Sequence, residues 1–129
     1  MSRSLLHGRN LAFGFGTLLP LLQTIRLWNH LTDAGYFIHW FDDYLFGCFL
    51  LFAAFKVLKY KEEGKVYLAA AWGVMVGVAF LSTLGQLDYV IQGKADPAPV
   101  STETVLAIKL LGLLLSIIGM ILCFGRKKQ

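Results

Sequence analysis

Arg26, Asp42, Asp43 and Lys109 are ionisable residues set within stretches that are otherwise apolar. A charge in such a place is costly unless it is paired or wetted, and by default it is a candidate for function. Two chemistries are open to this group. Paired with one another, the two cations and two carboxylates would hold their helices in one register. Wetted from one side, they would form a polar vestibule that binds or passes a proton, a small cation or a small polar ligand. His30 and His39 border the same group. His39, Asp42 and Asp43 stand at i, i+3 and i+4, so an imidazole and a carboxylate share a helical face, with His30 and Asp33 near across a short turn. Imidazole with carboxylate suits a divalent metal such as zinc, manganese or iron, which makes His39 and Asp43 the metal candidates. No closed ligand signature surrounds them.

Covalent and redox chemistry find less support. The sequence holds no Ser/His/Asp order, P-loop or CxxC motif. Ser82, Thr83 and Ser116 are of the kind that bond to a helix carbonyl or to a neighbouring helix. Cys48 and Cys123 lie inside apolar segments and read as small hydrophobes. A protein that is not an enzyme is expected.

The elements that must carry these residues follow from composition. Of 129 residues, 57% are hydrophobic and 16% charged, against roughly 45 to 50% and about 25% in soluble domains. Mean hydropathy is +0.62. Disorder requires low hydrophobicity, and nucleic-acid binding requires an exposed basic face; neither fits, although the net charge is +4. A single all-α integral membrane domain over 1–129 is expected, with the lipid bilayer as its surroundings.

Uninterrupted by charge, the apolar runs are 11–25, 44–55, 66–87 and 110–125, and only the third reaches the about 20 residues that a spanning helix needs. The others attain that length by absorbing Arg26 and His30, then His39, Asp42, Asp43 and Lys56, then Lys109. The expected helices are 11–31, 36–60, 66–88 and 103–124, a four-helix transmembrane bundle running up-down-up-down. Thr32-Asp33-Ala34-Gly35 would form the first turn, with Thr32 or Asp33 as N-cap. Gly64 is the expected C-terminal stop of helix 2. Asp96-Pro97-Ala98-Pro99 would run extended before Ser101 or Thr102 caps helix 4. Pro20 is expected to kink or loosen helix 1 and free a carbonyl one turn earlier.

Orientation follows from the basic residues, which stay on the cytoplasmic side of short loops. Arg3, Arg9, Lys56, Lys59, Lys61, Lys65, Arg126, Lys127 and Lys128 would lie inside, and Arg26, Lys94 and Lys109 outside. Both termini would then face the cytoplasm. Trp28, Tyr36, Trp40 and Tyr44 would mark the outer interface, and Tyr60 and Tyr67 the inner one. Arg3 and Arg9 before an apolar run resemble a secretion leader, but Arg26 closes the run and a second apolar helix soon follows, so retention in a bacterial inner membrane is expected.

Depth brings the ionisable residues together. Arg26, Asp42 and Lys109 stand seventeen residues from Arg9, Lys59 and Arg126 respectively, about 25 Å into a core of about 30 Å. Small and polar residues share their faces: Ala12, Gly16, Leu19, Gln23, Arg26 and His30 on helix 1; His39, Asp43, Gly47, Leu50 and Ala54 on helix 2; Lys109, Gly112, Ser116, Gly119, Met120 and Cys123 on helix 4. On helix 3 the stripe is Ala69, Gly73, Gly77 and Thr83, and Gly73 with Gly77 forms a GxxxG, suited to packing within the bundle or at a seam with a second copy.

In length and helix count the chain resembles small multidrug transporters and fluoride channels. The resemblance is one of architecture: helix 1 has no acidic residue at its middle, as the former require, and the basic bias argues against the dual insertion of the latter. The expected function is that of a non-enzymatic membrane component acting through helix packing with itself or a membrane partner. The alternative is an outward-facing site for a proton, small cation or metal, built on Arg26, Asp42, Asp43 and Lys109.

Overall fold

A computed structural model describes residues 3–28, 37–96 and 100–124, with the backbone alone for 37–40. It contains α1 (Arg3–Arg26), α2 (Phe37–Lys59), α3 (Lys61–Gln92) and α4 (Thr102–Cys123). Among the described residues two of the four, α3 and α4, are long and apolar enough to cross a membrane. The shortfall in the other two has a local cause: Arg9 and Arg26 bracket the apolar part of α1, and Asp42, Asp43 and Lys56 interrupt α2.

Each helix packs on its neighbours in the chain, α4 closes back onto α1, and the α1–α3 diagonal is slight. Cross-helix contacts fix the directions: Gly8 lies against Gly119 and Cys123, Gly16 against Gly47, Gly64 against Val57, and Lys109 reaches Ser82. Neighbouring helices therefore run antiparallel around a ring.

Helix bounds depart from expectation at both ends of α1 and of α3: α1 stops at Arg26 rather than 31 and α3 runs on to Gln92 rather than 88, and the two early starts have a visible cause. α1 begins at Arg3 rather than near residue 11, because its first turns are seated: the Trp72 indole Nε1 donates to the Gly8 carbonyl at 3.3 Å. α2 does not stop at Gly64. It ends at Lys59, Tyr60 alone forms the corner in an extended conformation, and Gly64 lies in the first turn of α3. Backbone bonds from Tyr60 N to the Lys56 carbonyl and from Gly64 N to the Tyr60 carbonyl, each 2.7 Å, carry the chain round the corner. A Cβ at Gly64 would fall on the Lys56 and Val57 backbone. Its glycine is needed for close approach of two helices, not for a left-handed cap.

α1 passes through Pro20 without a break. A proline there cannot donate to the Gly16 carbonyl, and that oxygen instead faces Gly47, where a Cβ would stand only 2.8 Å from it; the Gly47 carbonyl stands equally close to a Cβ at Gly16. On each glycine a hydrogen occupies the Cβ direction, so two Cα–H groups and two carbonyls face one another, a weak-bond geometry common where helices cross. The Ser101 side chain caps α4, accepting from Thr104 N at 3.2 Å. Thr32, Asp33 and 97–99 lie outside the described residues.

The core occupies the half of the bundle nearer the α2–α3 corner. Ala12, Leu50, Ala53, Ala54, Val57, Leu68, Ala71 and Trp72 are fully buried there. Five of those eight are alanine or valine, whereas leucines, isoleucines and phenylalanines on all four helices point outward. In soluble interiors isoleucine, leucine and phenylalanine are enclosed at least as often as alanine.

Candidate functional site

The other half of the bundle is polar inside. Gln23, Thr83 and Gln86 are buried, and Arg26, Asp43, Tyr44, Asp96 and Lys109 are half-buried around them. Each cation of the expected layer is present, but with partners other than Asp42 and Asp43. The Arg26 guanidinium forms a two-pronged ion pair with Asp96, Nε to Oδ1 at 3.1 Å and Nη2 to Oδ2 at 2.8 Å. The Asp96 carboxylate is wholly shielded from solvent. Lys109 Nζ donates to the Gln86 side-chain oxygen at 3.1 Å and to the Ser82 carbonyl at 3.5 Å.

Loop geometry explains the change of partner. Thr102 donates its hydroxyl to the Lys94 carbonyl at 3.0 Å and accepts from Asp96 N at 3.3 Å, tying the start of the α3–α4 connection to the first residue of α4. Gln86 Nε2 adds a bond to the Thr102 carbonyl at 3.4 Å. Asp96 is thereby delivered to Arg26 from above, in the fork geometry that a guanidinium and a carboxylate prefer.

Asp42 and Asp43 take a different position. Asp42 is exposed, and its Oδ1 accepts from the Asp43 backbone N–H at 2.7 Å. Asp43 is half-buried and lies within electrostatic reach of both Arg26 and Lys109. Thr24 bonds to the Pro20 carbonyl at 2.7 Å and meets the Tyr44 hydroxyl, tying α1 to α2 beside it. The layer thus contains two cations and three carboxylates, with Asp96 the member that periodicity does not reveal.

His30 lies outside the described residues, as does the side chain of His39. Among the described residues no three His, Cys, Asp or Glu side chains gather as a metal-holding group, so the metal expectation rests on His39 and Asp43 alone.

The packing glycines divide into two sets. Gly16 and Gly47 meet at the α1–α2 crossing, and Gly112 touches Phe15 at ordinary distance. Ser116 is buried and returns its hydroxyl to the Gly112 carbonyl at 2.7 Å. Gly73 and Gly77 face away from the bundle, with open space where a Cβ would stand. The buried face of α3 is Gly64, Leu68, Ala71, Trp72, Met75, Thr83 and Gln86. Sequence reasoning missed Trp72 as well as Asp96 and Gln86: the Trp72 ring fills the space that Gly119 leaves open on α4 and meets Phe15 edge-on at 5.5 Å.

The chain matches no family model, no curated protein and no solved structure.

Proposed function

We propose that all four helices cross a membrane, with the basic end of the bundle in the cytoplasm, and that the protein acts without catalysis, through helix packing with a second copy or a membrane partner. The supporting observation is the size inversion: glycine, alanine and serine at the helix contacts, with Leu21, Ile25, Leu45, Phe55, Leu81, Leu111 and Ile121 each more than half exposed on the outside. Small residues at contacts are the rule where lipid, not water, surrounds a bundle. Arg26, Asp96 and Lys109 are bonded within the polar half and Asp42 lies exposed at its edge, so most of the charge carried by α1 and α2 is partnered or near the bilayer boundary. Charge distribution agrees. The described residues of one end hold Arg3, Arg9, Lys56, Lys59, Lys61 and Lys65 against Glu62 and Glu63; the other end holds Arg26, Lys94 and Lys109 against five carboxylates.

Gly73 and Gly77 supply the packing surface, a flat notch on the face of α3 opposite its buried side. Two measurements test the proposal. The chain should stay in the pellet after alkaline extraction of membranes, and Gly73→Leu/Gly77→Leu should abolish association of the solubilised protein, with a second copy or with a co-purifying membrane protein, without lowering its unfolding midpoint. Recovery in the alkaline supernatant would overturn the membrane placement, and unchanged association the packing role.

Asp43 favours the second reading, an outward-facing cation site, because both neighbouring cations bond elsewhere. Asp43→Asn would then abolish stabilisation by added manganese or zinc while leaving the unliganded midpoint in place; a metal-independent loss of stability would assign Asp43 to structure.

A further inference from the structure

We propose that the α2–α3 corner binds the headgroup of an anionic phospholipid. The inference rests on the membrane placement above and concerns a different part of the molecule. The corner is one residue long, and the glycine contact at Gly64 forces the end of α2 against the start of α3. Lys56 and Lys59 are thereby gathered about one ring: the Lys56 ammonium lies 5.8 Å and the Lys59 ammonium 5.4 Å from the Tyr60 centroid. Lys56 also faces Phe52 at 5.4 Å and Tyr67 at 5.7 Å. Aromatic faces attract each ammonium but do not neutralise it. Two like charges held together in this way leave a place for an anion.

The surroundings specify what kind of anion. Tyr60 and Tyr67 are both exposed, and their phenols are hydrogen-bond donors suited to phosphate oxygens. Immediately beside the lysines, Phe55 and Leu58 lie open on the outer face of α2. A free phosphate gains nothing from that apolar strip, whereas an acyl chain lies along it while its phosphate meets the ammonium groups. Glu62 and Glu63 follow in the first turn of α3, where the helix N-terminus favours carboxylates.

The test is a titration of the full chain in neutral detergent with short-chain phosphatidylglycerol, phosphatidylcholine or inorganic phosphate, reading the unfolding midpoint. Phosphatidylglycerol should raise it saturably, and the other two should not. Lys56→Gln/Lys59→Gln should weaken apparent affinity by about tenfold or more, since a lysine near an anionic surface contributes about 1 kcal/mol. Lys56→Arg/Lys59→Arg should retain binding, which separates loss of the site from loss of the fold. Arg3→Gln/Arg9→Gln, at the same end of the bundle, should leave affinity unchanged. Equal response to phosphatidylcholine, equal loss in the Arg3/Arg9 variant, or equal competition by inorganic phosphate would each overturn the proposal. Because the titration is made in detergent, its failure leaves membrane placement to be judged by alkaline extraction alone.

Discussion

A single methyl group distinguishes the glycines of this protein. At Gly64 a Cβ meets backbone that cannot move aside, so Gly64→Ala should destabilise by about 1–3 kcal/mol, the range for forcing added volume into a packed site. At Gly73 the same methyl meets nothing within the chain, and in the dissociated monomer Gly73→Ala should raise stability by about 0.5–1 kcal/mol through helix propensity alone. Unfolding midpoints of the two variants check both signs. The charged residues separate in a similar manner. Removing Arg26 leaves the shielded Asp96 carboxylate uncompensated, so Arg26→Gln should cost about 3 kcal/mol, with much of the loss recovered in Arg26→Gln/Asp96→Asn. Arg26→Gln/Asp42→Asn should recover little. A double-mutant cycle with each carboxylate distinguishes the observed pair from the one that depth arithmetic suggests.

Within the elements, sequence was informative in proportion to how much of a helix face was chemically marked. Polar residues at helical spacing marked α1, α2 and α4, and Ala12, Gly16 and Gln23, Gly47, Leu50 and Ala54, and Ser116, Gly119 and Cys123 are buried accordingly. α3 carries no such stripe through its middle. Both of its faces are apolar, the GxxxG pair catches the eye, and yet the wide Trp72 ring determines which side is enclosed. A signal was available in Trp72 and Gln86, whose polar groups share one face of α3 and must find partners when buried; Thr83, grouped by spacing with Gly73 and Gly77, is buried on the Trp72 side instead. The α1–α2 crossing yields a further test. Gly47→Ala should destabilise by about 1–3 kcal/mol through contact with both the Pro20 ring and the Gly16 carbonyl. Pro20→Ala should restore only part of that loss, because the carbonyl remains; full restoration, read by thermal unfolding, would mean that the ring alone forbids a side chain there.

Across the whole molecule, polarity runs from a basic end to an acidic end and from a small-residue interior to a large-residue exterior. Thiol labelling tests the two gradients together. In a background with Cys48→Ala and Cys123→Ala, an impermeant reagent applied to intact cells should modify Lys94→Cys at once and Lys61→Cys only after permeabilisation. Labelling of both from outside would remove the proposed orientation. Four helices, their order and a cap at Ser101 or Thr102 were legible along the chain, because each depends on hydropathy and spacing that a linear pattern records. Three features were decided only by the tertiary structure: Asp96 as the partner of Arg26, Gly64 as a point of contact, and the outward turn of Gly73 and Gly77. The physical reason is common to all three. An ion pair between a loop and a helix, a close approach at a corner and the choice between two equally apolar faces depend on distances between segments far apart in sequence, and on whichever arrangement buries the largest ring and leaves the fewest polar groups without partners.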